Sequence, residues 1–301
     1  KLVQPKPSYR IFGGSQDKPV PRLGQNPKSG VTIDYYLPKK LDSIELKLEI
    51  LQGSKVIRTY TNQKPKDFKS WPGGPPKPKV LPSKKGYNRF TWDFRKEAIP
   101  AIDKVFVFGN YAGAAVAPGT YTLRLSSKNE TIETTATILA NPKIKASQAD
   151  YEEQQSVLNQ IENALENIHT AVNQMRSAKG QLKSYEKLLK DNDAAKELLA
   201  KGDSLLKRIT TWEEHLIQPQ QKTFQDVINF QNQLNADFMH LKGFVDVAEP
   251  KVTEGAKERL RDLLAAWSIY EKEKNAIVAT EMAEFNQMYK SMEVPAIILK
   301  E

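Results

Sequence analysis

The 301-residue sequence has no cysteine. That absence removes disulfides, thiolate metal ligands and cysteine nucleophiles together, and it leaves the redox compartment open. Histidine is scarce: His169, His215 and His240 are the whole supply, all in the second half. Three histidines on expected helices do not offer the convergent geometry that a Ser/His/Asp set needs. No apolar run approaches the ~20 residues of a membrane-spanning helix, so no membrane insertion is expected. No charged-then-apolar leader follows Lys1, and any signal peptide is expected to have been removed or never present. Gly13-Gly14 and Gly73-Gly74 lack the Lys-Ser/Thr helix start of a phosphate-binding loop. Asp191-Asn192-Asp193 lacks the spacing and glycine of a calcium loop. Neither a metal site nor a cofactor is expected.

What is present is unevenly spread. Hydrophobic residues make up 39% and charged residues 27%, a globular balance. The length suits about two domains. Residues 1–146 hold 26 Lys and Arg against 11 Asp and Glu, or +15; residues 147–301 hold 19 against 25, or −6, which together give +9. Fifteen of the 18 prolines and 11 of the 15 glycines also precede residue 147. A joint change of this kind marks a domain boundary. The expected layout is a linker or edge segment over 1–30, a β domain over 31–145 and a helical domain over 146–301.

Alternating apolar residues recur through the first half: Val31, Ile33, Tyr35 and Leu37, then Ile44, Leu46, Leu48 and Ile50. Similar patterns run through residues 56–60, 88–94, 121–127 and 131–139. Period two places every second side chain on one face, as in a half-buried antiparallel strand. Six or seven such strands with Pro/Gly punctuation predict a β-sandwich. Phe90, Trp92 and Phe94 share one parity and are assigned to its core. Residues 106–119, apolar and rich in Gly and Ala, read either as a strand entering a buried loop or as a surface packed on the helices.

From Ser147 the period changes. Ser147 with Asp150 three residues on has the form of a helix start. Leu158, Ile161, Leu165, Ile168, Val172 and Met175 follow at spacings of 3 and 4. Two further stripes run from Ala195 to Leu216 and from Phe224 to Val245, and a fourth opens at Thr253 and includes Leu260, Leu263 and Trp267. Residues 180–193 are expected as a short separate helix or as the top of the second. The pattern predicts an antiparallel four-helix bundle, so the fold class is α+β and multidomain.

Several segments in order resemble a bacterial family. They are Tyr35-Tyr36-Leu37, LEILQGSKVIRTY (48–60), GYNRFTWDFR (86–95), PGTYTLRL (118–125) and NPKIKASQADYEEQ (141–154), followed by the helix over 160–176. The third and fourth also occur in the Ig-like domain of flagellar hook-capping proteins. Together the order is similar to the C-terminal region of sortilin-type BNR-repeat β-propeller proteins, often labelled glycosyl hydrolases. The likeness covers about residues 4–178. It implies an Ig-like β-sandwich followed by a helical bundle, the tail of a larger exported protein at the periplasm or cell surface, with an upstream propeller as partner. Any hydrolase residues would lie on that propeller, so no catalytic residue is carried over to this chain and its own activity stays open.

The remaining candidate surface is the loop over 62–86, with seven Lys and six Pro. So long a loop inside a compact domain is functional or mobile as a rule. Trp71, Lys69, Lys77, Lys79 and the nearby Tyr87 form the candidate ligand or docking surface. The loop has no Arg to grip phosphate in a bidentate manner, so docking onto the propeller is favoured over nucleic acid. A carbohydrate-binding module built on these aromatics and a helical interaction module are the rival readings. Glu152/Glu153 and Glu213/Glu214, adjacent on helices, are expected to be solvated. Asn129-Glu130-Thr131 fits a glycosylation sequon.

Overall fold

The computed structural model describes residues 1–13, 22, 24, 28–41, 44–66, 68–128 and 130–292. The sequon residue Asn129, together with Gly14 and Asp67, lies outside them. The chain is a mixed α+β protein, and among the described residues seven strands precede the helices. β2 (Val31–Leu37) and β5 (Gly86–Trp92) pair antiparallel as one small sheet. The larger sheet has the order β1-β7-β6-β3-β4, built from β1 (Ser8–Tyr9), β3 (Leu46–Gln52), β4 (Lys55–Thr61), β6 (Gly119–Ser127) and β7 (Glu130–Leu139). β1 runs parallel to β7, so the N-terminal segment takes the edge position.

Alternation determines which side chains meet. Val31, Ile33 and Tyr35 of the small sheet share one core with Leu48, Ile50, Leu123 and Ala136 of the large one. Trp92 lies in the middle of that core, edge-on to Tyr121 at 5.4 Å, and its indole N–H donates to the Arg95 carbonyl. Phe94 is buried as expected, but it lies beyond the strand. With φ of +62° it occupies the left-handed region and turns the chain out of β5.

α1 (Gln148–Leu189) begins with a reciprocal cap: Ser147 Oγ accepts from the Asp150 amide and Asp150 accepts from the Ser147 amide. Its 42 residues span about 63 Å. Residues 180–189, expected as a separate element, continue it without a break, because nothing before Lys190 stops a helix with this seam. α2 (Lys196–Glu214), α3 (Leu234–Val245) and α4 (Glu254–Ile277) follow, and a π turn over Val278–Met282 leads into α5 (Ala283–Ser291).

The third apolar stripe was expected from Phe224, yet α3 starts only at Leu234. Asp226 accounts for the difference, because its carboxylate accepts from the Lys222 and Thr223 amides and folds residues 222–228 into a turn. Phe224 is left outside. Trp212 ties α2 to α4 through its bond to the Tyr270 carbonyl. Among the described residues no helix is long and apolar enough to cross a membrane.

The two cores do not divide at the expected boundary of 145/146. Ile99, Ile102, Val105, Val107, Tyr111 and Ala114, all in the strand half of the sequence, belong to the helical core. Of the two readings for residues 106–119, packing against the helices is the one realised.

Candidate functional site: the junction and its groove

Residues 95–116 form a strap laid along α1, held by a polar row on that helix. Gln155, Glu162, His169 and Arg176 recur every seven residues, so they stay on one face. Gln155 donates to the Ala115 carbonyl at 2.8 Å, and Glu162 accepts from the Ala114 amide. Arg176 donates to the Asp103 carbonyl at 2.9 Å. Asn173, one turn from His169, donates to the Ala101 carbonyl at 2.9 Å. From Gln155 to Arg176 this seam covers about 30 Å of helix.

His169 is fully buried, with Nδ1 2.7 Å from the Pro100 carbonyl. A carbonyl only accepts, so Nδ1 carries a proton. Burial pulls its pKa down to about 4, against a smaller upward pull from the Pro100 bond. Glu166 stands three residues before it, a spacing that di-metal bundles use, but Glu166 is exposed while His169 is buried, so the two side chains do not share a site. Among the described residues no three His, Asp or Glu side chains gather for a metal.

A charged cluster closes the end of the strap. Arg95 Nη1 donates to Asp246 at 2.5 Å and to the Gly113 carbonyl at 2.9 Å. Lys242 lies 3.5 Å from the same carboxylate and donates to the Ala112 carbonyl at 2.7 Å. Asp246 also accepts from the Ala115 amide. Burial by itself would raise the Asp246 pKa, but Arg95 and Lys242 outweigh it and hold the carboxyl below its ordinary value. Burial lowers the pKa of Lys242. Behind them Arg10, almost wholly buried, bonds the Val116 carbonyl and Gln154, while Gln154 reaches the Val245 and Val247 carbonyls.

Over this cluster lies a groove of about 680 Å³ between the strap, α3 and the Phe224 turn. Its rim is aromatic: Phe108, Phe224 and Phe244 are 50%, 62% and 68% exposed. Phe224 meets Phe106 and Phe108 edge-on at 5.1 and 5.5 Å. Exposed aromatics gathered around a concavity mark a binding surface more often than single exposed apolar residues do. Arg95, Lys242 and Asp246 also line it.

The residues singled out from the sequence lie elsewhere and are not drawn together. Trp71 is half-buried: its indole N–H donates to the Val105 carbonyl at 2.8 Å, and Gly74 packs so close to the ring that a Cβ there would come within 2.6 Å of it. It anchors its own loop to the strap. Lys79 pairs with Asp93 at 2.9 Å, and Lys69 and Lys77 are exposed. Tyr87 is 72% exposed and meets Tyr36 edge-on at 5.4 Å, on the outer face of the small sheet. One expectation is corrected outright. Glu213 is buried, bonded to Arg176 at 2.5 Å and Lys179 at 2.8 Å, so it joins α1 to α2 and is not solvated.

Sequence reading missed the polar row on α1 and the groove. The row had a signal: Gln155, Glu162, His169 and Arg176 repeat at seven, flanking the apolar seam. The groove had none, because its walls come from residues 95–110, 224 and 239–247. Comparison with family models, curated proteins and solved structures finds no match to this chain.

Proposed function

We propose that the chain is a non-catalytic module that supports or docks an upstream β-propeller of the BNR-repeat type, in a protein exported to the periplasm or cell surface. In this reading the strands form an Ig-like β-sandwich and α1–α4 an antiparallel four-helix bundle. The observation that carries it is the seam on α1. The polar row of Gln155, Glu162, His169 (through Nδ1) and Asn173 is engaged in holding the strap. Contact between the strand region and one helix over about 30 Å suits a support. Metal, cofactor and nucleic acid have no part in this reading.

Two measurements test it. Incubated with a panel of aryl glycosides, the chain should release no aryl alcohol, and turnover would overturn the reading. An immunoblot of the natural gene product should show a band well above 34.1 kDa; a band near that mass would remove the propeller from the account.

A second reading, carbohydrate binding, is favoured by the Tyr36–Tyr87 pair. The bidentate Arg89–Asp34 contact, at 2.8 Å for both bonds, stands beside it on the same outer face. Aromatic faces and a fixed polar pair are what a sugar surface needs. A glycan array compared between the parent and Tyr87→Ala decides it, and a parent that binds no glycan eliminates it.

A further inference from the structure

The junction carries more positive charge than it has carboxylates to answer. Among the described residues, Arg10, Arg95, Lys96 and Lys242 of the bonded cluster meet two carboxylates, Asp246 and Glu162. Four cations against two anions leave a surplus in a region largely withdrawn from water, where charge interactions are strong. Arg95 is the cation best placed to use it. Its Nη1 takes both protein acceptors, so the Nε–Nη2 edge has no partner among the described residues. That edge is the fork that grips a carboxylate through two parallel bonds. Arg95 lines the groove together with Phe108, Phe224, Phe244 and Met239.

We propose that this groove binds an apolar monocarboxylate, with the carboxylate on the free edge of Arg95 and the carbon chain against Phe108, Phe224, Phe244 and Met239. Three observations limit the ligand to this class. The volume lies within the 300–1,000 Å³ usual for small-molecule sites. The charged floor is recessed, with the Lys242 and Asp246 side chains almost wholly buried, so a slender terminal group reaches it and a broad protein surface does not. The positive surplus excludes a cationic head group.

Gly243 supplies the test. It lines the groove, and a Cβ placed there meets nothing within 4 Å. A larger residue would therefore fill the groove from inside a helix, and replacing glycine there favours the helix by up to about 1 kcal/mol. The probes are dodecanoate below its micelle concentration and dodecyltrimethylammonium, titrated calorimetrically into the full chain. Dodecanoate should saturate a single site, with the cation at least roughly tenfold weaker. Gly243→Leu should weaken dodecanoate by roughly tenfold or more while the melting temperature holds or rises. Phe244→Ala, at an exposed position, serves if that variant does not fold, and should weaken binding several-fold. Absence of saturable dodecanoate binding, equal affinity for the cation, or unchanged affinity in the folded variants would overturn the proposal. Such a failure leaves the support role untouched, because that role rests on the α1 seam and not on the groove.

Discussion

Two long segments leave the strands, over residues 62–86 and 95–116, and they differ in how they are held. The first is marked by charge: seven lysines among prolines, most of them exposed. The second balances Arg95, Lys96 and Lys104 against Glu97 and Asp103, and its apolar residues from Ile99 to Ala114 are buried in the helical core. Charge makes a loop conspicuous in a sequence because solvated lysines need no partner. A loop buried in a core is recognised only through what covers it. Its carbonyls must find donors, and those of Pro100, Ala101, Asp103 and Ala115 find them on a helix that begins some thirty residues later.

Substitutions can break or sharpen this contrast, and the largest effect belongs to the end of the strap. Asp246→Ala would leave Arg95 and Lys242 buried without their carboxylate and the Ala115 amide unpaired. Losing one partner of a buried pair costs about 3–5 kcal/mol, which urea unfolding would measure.

Next is acid. His169 is neutral when folded, with a pKa near 4 against 6.5 in the open chain, so between those values the unfolded state binds the extra proton. The His169 contribution to stability therefore falls as pH drops from 6.5 to 4, by at most about 3 kcal/mol, and is constant below. Chemical denaturation across that window should show the slope, and His169→Gln should flatten it.

Gly113→Ala comes third. The new Cβ would lie 2.1 Å from the Glu97 carbonyl and 2.4 Å from that of Lys96, backbone atoms that cannot swing away. A loss of about 1–3 kcal/mol is expected in the same unfolding assay.

At the other loop, replacing Lys64, Lys66, Lys69 and Lys77 together by Ala should change stability by less than about 0.5 kcal/mol per site. A larger loss per site in the lysine variant than in Gly113→Ala would reverse the comparison.

Much of the architecture was legible because it is periodic. The alternation at Val31–Leu37 and the reciprocal Ser147/Asp150 pattern state their geometry locally, and both elements form where they should. Phe224 misled because an apolar residue at helical spacing is also what a turn presents when a nearby Asp226 captures its amides. Trp71 looked like a stacking platform, but its indole N–H is bonded to Val105, a partner that sequence distance hides. The groove could not be read at all, since Arg95, Phe224 and Phe244 become neighbours only after both cores have formed.

The seam on α1 also dictates an order of events. A ribosome releases the strand half first, with the strap's carbonyls and Val105, Val107 and Tyr111 still uncovered, because their receiving helix has not been made. Until residues 148–176 emerge and coil, the nascent chain carries a sticky, unfinished edge. Chaperone occupancy should peak during that interval and fall once Arg176 clears the exit tunnel.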